Sequence, residues 1–359
     1  MPSIYEKILE AVGARVYARD EEAQALLTAL VARQNAVLIS SAGTAKSMLV
    51  EAILSSVRGA PSIFKAQIHP ASEMDDLFGA LSLSALRENR RVRCGDAYLQ
   101  NAHFAFLDEI FKASGATLSA LLSALNERVF FEEGKRHQIP LQCLLAASNE
   151  LPTEESGALA DRFTLWIPVT PLHDQMVDAT DLLWVDEEDL PRIPRLSPSI
   201  LSETRDLALK ILKSQKREIM TGVIGLSQSV KSLGGAPLTD RGLKLACELV
   251  ATSAAMRESE QVELIDYSIL KFSARNCFDE SPLWRSVVSA FIGLDAITQP
   301  ILAGAKSTTS INKLMVIIEE IKLLPKLTYA IKQGLIGTIK SRIEFLTIKK
   351  AEKAEQARG

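Results

Sequence analysis

The chain has 359 residues, 47% hydrophobic and 24% charged, with a formal net charge of -3. This composition suits a globular protein of two or three domains and excludes the globally positive field of a general nucleic-acid binder. The four cysteines, Cys94, Cys143, Cys247 and Cys277, form no C-x-x-C pair, which argues against a disulfide framework or zinc site and for a cytoplasmic protein, and no signal peptide or membrane-spanning apolar run is expected.

Apolar periodicity predicts an amphipathic helix over Ile4–Val16 and a second from Glu21 to about Arg33, with Asp20 as its N-cap. The stretch Asn35–Val50 then reads as a short apolar strand, a loop of small residues, Lys46-Ser47 and an apolar helix. This is the layout of a phosphate-binding P-loop, G-x-x-x-x-G-K-[ST], with Ser40 and Ala45 at the two glycine positions and Gly43 between them. By itself the stretch fits a ligand-free strand–turn–helix as well.

Ser62–Ile68 is the next predicted strand, and Ser72–Gly79 a helix that Gly79 ends. Two short segments, Leu81–Leu86 and Arg91–Cys94, flank a possible hairpin tip at Arg87–Arg90, whose arginines also fit a solvated loop. Ala102–Glu109 is a buried strand ending in adjacent carboxylates, Asp108 and Glu109. Carboxylates there are costly to leave unpaired; beside a P-loop one can help hold Mg²⁺ and the other orient water, whereas alone a strand-end Asp can cap the following helix. A Leu-rich helix over Ala116–Asn126, a charged hairpin over Glu127–His137 around Gly134, and a buried strand Leu141–Ser148 follow. Asn149, just past that strand, is either a turn residue or an amide pointing into the crevice where α/β sheets bind ligands. Asp161-Arg162 precedes a further strand, Phe163–Val169.

Alternation of β and α to this point predicts a parallel sheet covered on both faces. Beyond it the chain reads as an acidic, Pro-rich linker over 178–198, then helices over Ser202–Leu233, Leu238–Met256 (Thr239 as N-cap), Leu264 to about Cys277, and Trp284–Ile297, with a break after it at Pro300. From Thr308 a Leu/Ile-rich helical pattern continues, broken near Pro325 and Gly334, with an excess of Lys and Arg that reads as the solvated outer face of a helical hairpin rather than a polyanion site.

As a set, Gly43–Ser47, Phe106–Ala113, Leu122–Arg128, Ala146–Pro152 and Asp161–Phe163 stand in the order and approximate spacing of the MoxR family of AAA+ ATPases. Leu77–Ser82 and Thr239-Asp240-Arg241 also resemble its RavA subgroup. The resemblance runs from about the P-loop to about Cys277; the C-terminal helices resemble RavA's extra bundle only loosely, with no room for its small β-rich insertion. It implies an α/β P-loop AAA+ core over 1–172, an all-α lid over 173–285 and a C-terminal helical bundle over 286–359. It implies ATP and Mg²⁺ as cofactors, with Gly43, Thr44, Ala45, Lys46 and Ser47 around the phosphates and Ser47 and Asp108 at the metal. Glu109 would polarise the attacking water and Asn149 would be sensor 1. Arg162 would be an arginine finger supplied to a neighbouring subunit, and Arg241 the sensor 2 cation of the lid.

One departure from the family is local. The loop begins Ser40-Ser41-Ala42-Gly43 where MoxR proteins have Gly-Pro-Pro-Gly, so easy access to φ > 0 at Ser40 is lost and nucleotide affinity or turnover is expected to differ. The resemblance implies a homo-oligomeric ring, a hexamer, that remodels a protein client beside a von Willebrand factor A domain partner. The alternatives are a nucleotide-dependent scaffold with weak turnover, and a nucleic-acid motor, against which the net acidity weighs.

Overall fold

The computed structural model describes the chain except residues 1–2, 42, 58–61, 91–92, 94, 96, 133–134, 172–189, 274–279, 309, 324–328 and 357–359. Its first helix, α1 (Ile4–Gly13), opens with a capping box: Ser3 Oγ accepts from Glu6 N at 3.2 Å while the Glu6 carboxylate accepts from Ser3 N at 3.1 Å. Helix α2 (Asp20–Ala32) begins one residue earlier than expected, so Asp20 is its first helical residue and not its N-cap. Strand β1 (Ala36–Ile39), α3 (Lys46–Ser55) and β2 (Ile63–Gln67) follow. Next come short helices α4 (Met74–Phe78) and α5 (Leu83–Arg87), strand β3 (Phe104–Asp108) and helix α6 (Gly115–Glu127). A β4 (Val129–Glu132) and β5 (Lys135–Gln138) hairpin, strand β6 (Cys143–Ser148), helix α7 (Gly157–Ala160) and strand β7 (Leu165–Pro168) complete the first half.

Five strands form one parallel sheet in the order β2-β3-β6-β1-β7. Alternating residues of β1 enter two cores. Ala36 and Leu38 join α1, α2, α3 and the later helices, while Val37 and Ile39 join α4, α6 and the hairpin. Strands β1 and β6 are therefore buried at every residue, as a central parallel strand between helical layers requires.

The first flank of the expected hairpin is instead the helix α5, which Ser82 caps by accepting from Ala85 N at 3.3 Å; of the second flank Arg93 is described and bridges to Leu81, while Arg91, Val92 and Cys94 lie outside the described residues. The hairpin at 127–138 is present as β4–β5, and Phe130 anchors it by stacking on Phe78 at 5.4 Å; Gly134 lies outside the described residues.

The second half is helical. Helices α8 (Pro198–Ser214) and α9 (Lys216–Ser232) replace the single helix expected, with a break at Gln215, and most of the linker lies outside the described residues. Helix α10 (Asp240–Met256) starts at the expected cap, Thr239, whose hydroxyl accepts from Gly242 N at 3.2 Å. A 3₁₀ helix over Leu264–Phe272 follows, stapled to the end of α10 by Asp266, which takes two hydrogen bonds from Arg257 at 2.9 and 2.7 Å. Helices α11 (Ser281–Phe291), α12 (Leu294–Ser307), α13 (Ile311–Leu323) and α14 (Tyr329–Gln356) end the chain. Pro300 sits inside α12, and the break falls earlier, at Gly293 with φ 63°. Gly334 does not interrupt α14; Pro325 lies outside the described residues.

The start of α2 joins the two halves. Glu21 pairs with Lys271 at 3.3 Å and Arg285 at 3.0 Å, and Arg19 Nη2 donates to the Thr170 carbonyl at 2.6 Å. Beside them Asp20 packs against Gly13, where an added Cβ would meet Asp20 Oδ1 at 2.9 Å and the Tyr329 hydroxyl at 3.6 Å. Burial, with the neighbouring Glu21 charge, pushes the Asp20 pKa up to about 6. A carboxyl raised in the folded state opposes folding once ionised, and the penalty is full above about pH 6 and absent below the ordinary carboxyl range. Asp20→Asn is therefore expected to raise the melting temperature at pH 8 and to leave it unchanged below about pH 3; calorimetry at both pH values checks the sign.

Candidate functional site

Strand β1 delivers the loop 40–45 to the C-terminal edge of the sheet, and α3 begins at Lys46 with no side-chain cap. The first N–H groups of α3 thus open onto the loop, where the helix dipole favours an anion. Among the described residues of the loop two are left-handed, Gly43 at φ 81° and Ala45 at φ 60°. Ser40 is not among the residues with positive φ, and its N–H donates to the Ser148 carbonyl at 3.2 Å, extending the β1–β6 pairing. Ser40 therefore needs no positive φ, and the non-glycine residue that adopts one is Ala45. Space is open above Gly43: a Cβ there would meet nothing within 4 Å.

Lys46 is buried, and its ammonium is surrounded by acceptors. It donates to the Ser40 carbonyl at 3.1 Å, Ser40 Oγ at 2.9 Å, the Ser41 carbonyl at 3.1 Å and Asn149 Oδ1. Burial lowers the Lys46 pKa, against the opposing pull of Asp108 and Glu109. Asn149 joins the lysine to the acidic pair, since its Nδ2 donates to Glu109 Oε1 and its N–H to Glu109 Oε2 at 3.3 Å. Only one orientation of the amide serves both neighbours, oxygen to ammonium and nitrogen to carboxylate. Asp108 accepts from Ser47 Oγ at 3.0 Å and from Glu109 N at 2.9 Å. Glu109 is buried and left-handed at φ 55°, a conformation the surrounding bonds hold in place.

The donor set fits a Mg-nucleotide. Ser47 and Asp108 present a hydroxyl and a carboxylate, the oxygen donors Mg²⁺ takes, and Lys46 with the α3 N–H groups would meet the phosphates. When bound, the metal would neutralise developing phosphate charge, and Glu109, oriented by Asn149, would be the group placed to take a proton from water.

Arg162 and Arg241 are elsewhere. The Arg162 carbonyl accepts from Asn35 Nδ2 at 3.1 Å, and Asn35 immediately precedes β1, at the N-terminal edge of the sheet. Ser40, which holds Lys46, is five residues further along, or roughly 16 Å at strand rise. The charges acting on exposed Arg241 are those of Arg162 and Asp161, not those of Lys46 or Glu109. Helix α10, which carries Arg241 in its first turn, docks on this same edge, where Gln34 Nε2 donates to the Leu245 carbonyl at 3.0 Å. The fold thus gathers Lys46, Ser47, Asp108, Glu109 and Asn149 at one edge and leaves Arg162 and Arg241 at the other.

Two site residues escaped the sequence reading. Lys112 pairs with Glu109 Oε2 at 3.4 Å, and its three-residue spacing from Glu109 was the available signal. Ser40, read only as a missing glycine, supplies both a carbonyl and a hydroxyl to Lys46 and contacts Thr44 Oγ1.

A parallel β2-β3-β6-β1-β7 sheet with a P-loop after β1, an acidic pair at the end of β3, an amide after β6 and a helical lid defines an AAA+ ATPase fold. A solved structure of a candidate ATPase from Cytophaga hutchinsonii has this fold, with a TM-score of 0.60 at 15% identity, covering 80% of this chain and 94% of its own. The family described as the MoxR domain in the MoxR-vWA-beta-propeller ternary systems matches residues 3–190, and the chain belongs to the MoxR family of AAA+ ATPases. Two uncharacterized proteins of Methanocaldococcus jannaschii are similar to it. One is 32% identical over 277 residues, 77% of this chain and 72% of the relative; the other is 32% identical over 268 residues, 74% and 68%. A structural protein of Acidianus two-tailed virus is 29% identical over 170 residues, 46% of this chain but 28% of the viral protein.

Glycine at position 45 would adopt φ 60° without a Cβ penalty. Ala45→Gly is expected to stabilise the protein by about 1 kcal/mol. Urea denaturation measures it, and an unchanged or lower midpoint would contradict strain at this position.

Proposed function

We propose that the protein hydrolyses ATP with Mg²⁺ at interfaces of a homo-oligomeric ring, a hexamer, and uses the cycle for chaperone-like remodelling of a protein client. The observation that carries this reading is the division of the site between two edges of one sheet. Lys46, Ser47, Asp108, Glu109 and Asn149 stand at the phosphate end, while Arg162 and Arg241 stand at the opposite end beside Asn35 and α10. In this reading one subunit binds the nucleotide and the next supplies both arginines, whose charge stabilises the transferring phosphoryl group. Arg241 therefore serves the neighbour's nucleotide rather than its own.

The same reading takes residues 1–172 as the nucleotide-binding core, 173–285 as the lid and 286–359 as the C-terminal bundle. The family's association with MoxR-vWA-beta-propeller systems supports a von Willebrand factor A domain protein as partner. A RavA-like role and a cytoplasmic location belong to the same proposal; no helix among the described residues is long and apolar enough to cross a membrane.

Arg162→Ala should cut ATP turnover by about 10³-fold or more while leaving nucleotide binding intact. Turnover assays paired with isothermal titration of Mg-ATP read both quantities, and wild-type turnover in the variant would refute a finger at this position. A second reading, a scaffold that binds nucleotide and barely turns it over, draws on the Lys46 ammonium being already held by Ser40, Ser41 and Asn149. Equal, near-background rates for wild type and Glu109→Gln would favour it.

A further inference from the structure

The pattern G-x-x-x-x-G-K-[ST] puts a glycine where this chain has Ser40, and a glycine brings no side chain to the loop. Here a hydroxyl is present, buried and bonded on three sides. It donates to the Ser41 carbonyl at 2.9 Å, accepts from Lys46 Nζ at 2.9 Å and contacts Thr44 Oγ1. Thr44 is buried as well, and its hydroxyl also reaches the Ser41 carbonyl, at 3.1 Å. Two hydroxyls, four residues apart, thus close the ends of the loop on each other. The Ser40 backbone is fixed from the other side, where its N–H is bonded to the Ser148 carbonyl of β6.

An ammonium has three protons to donate. Lys46 has four acceptors within reach: the Ser40 and Ser41 carbonyls, Ser40 Oγ and Asn149 Oδ1. The carbonyls would be there with any residues at positions 40 and 41, and Asn149 also serves Glu109. Ser40 Oγ is therefore surplus to the needs of the empty loop, since three acceptors remain without it. What it adds is a charge-assisted bond to the state in which Lys46 is turned onto the loop. A polyphosphate must break that bond to draw the ammonium to itself, and an interaction made only in the empty state weakens binding.

We propose that Ser40 and Thr44 form a clasp that holds Lys46 on the empty P-loop and so sets the affinity of the site for nucleotide: the phosphates take the ammonium only after the Ser40 hydroxyl has released it. This rests on the nucleotide-binding reading above. Because the clasp acts on the empty form, its cost falls on the fraction of protein ready to bind, and hence on the association rate. Removing the hydroxyl tightens binding although it takes a hydrogen bond out of the loop. Ser40→Ala removes the hydroxyl alone, and Ser40→Gly also restores the residue of the usual pattern. Thr44→Val opens the clasp from its other end and keeps the backbone N–H.

Isothermal titration with Mg-ATP and stopped-flow mixing with a fluorescent ATP analogue read affinity and rates without reference to turnover. Ser40→Ala should bind Mg-ATP about three- to tenfold tighter than wild type, with the gain in the association rate and the dissociation rate within about twofold. Ser40→Gly should show the same gain, and it carries the test if the alanine variant does not fold. Thr44→Val should bring part of the gain in the wild-type background and none in the Ser40→Ala background. Unchanged or weaker binding in the folded Ser40 variants overturns the proposal while leaving the nucleotide reading intact. So does a gain that lies in slower dissociation, which would place the hydroxyl against bound nucleotide, or a full additional gain from Thr44→Val on top of Ser40→Ala. If wild type and both Ser40 variants give no heat with millimolar Mg-ATP, the nucleotide reading fails and this proposal with it.

Discussion

Strand β1 is hydrogen-bonded on both sides, to β6 and to β7, and is buried at every one of its four residues. Its direction and register are therefore the constraint from which the rest of the molecule is laid out. A one-residue slip would exchange Leu38 for Ile39 between the two cores and would carry Ser40 away from Ser148. Everything immediately after β1 emerges at one edge, and everything immediately before it lies at the other. The P-loop takes the first edge and Asn35 the second, so the two ends of one short strand separate the phosphate-binding groups from the arginines.

At the phosphate edge a few short bonds make the polar groups one unit. Asn149 stands between Lys46 and Glu109, and Asp108 is held by Ser47 and by the N–H of Glu109. Each of these groups has a protein partner within hydrogen-bonding distance, the kind of partner that a bound nucleotide or metal would replace. Ser40 is part of this substitution, because its hydroxyl gives Lys46 an acceptor that a glycine lacks. The serine that interrupts the usual loop thus changes what holds the lysine more than how the backbone bends.

At the other edge the helical half decides the geometry. The lid packs on the C-terminal end of α2, where Arg205 Nε caps the Val31 carbonyl at 2.8 Å and Gln34 reaches the Leu245 carbonyl. This docking, together with the Glu21 bridges at the opposite end of α2, carries Arg241 to Arg162 and away from Lys46. Helix α2 is in this sense the spine along which core, lid and C-terminal helices are aligned, and its buried apolar residues join all three in one continuous core.

Much of this was legible from residue order alone. Apolar runs such as Ala36–Ile39 and Cys143–Ser148 announce buried parallel strands because both faces must be apolar. Polar residues at or beyond the ends of such strands, Asp108, Glu109 and Asn149, with Lys46 at the start of the helix after β1, converge because the C-terminal ends of adjacent parallel strands lie side by side. Local competition was harder to read: Ser82 made a helix of an expected hairpin, and Gln215 divided α8 from α9. That Ser40 needs no positive φ could not be read locally, because its backbone is set by pairing with Ser148, a residue more than a hundred positions away. The sequence by itself determined the phosphate edge, since strand periodicity and motif spacing are local properties. The arrival of Arg241 at the edge that carries Arg162, from two separate segments, was decided only by tertiary structure, because it depends on where the lid docks and no local pattern encodes a docking surface.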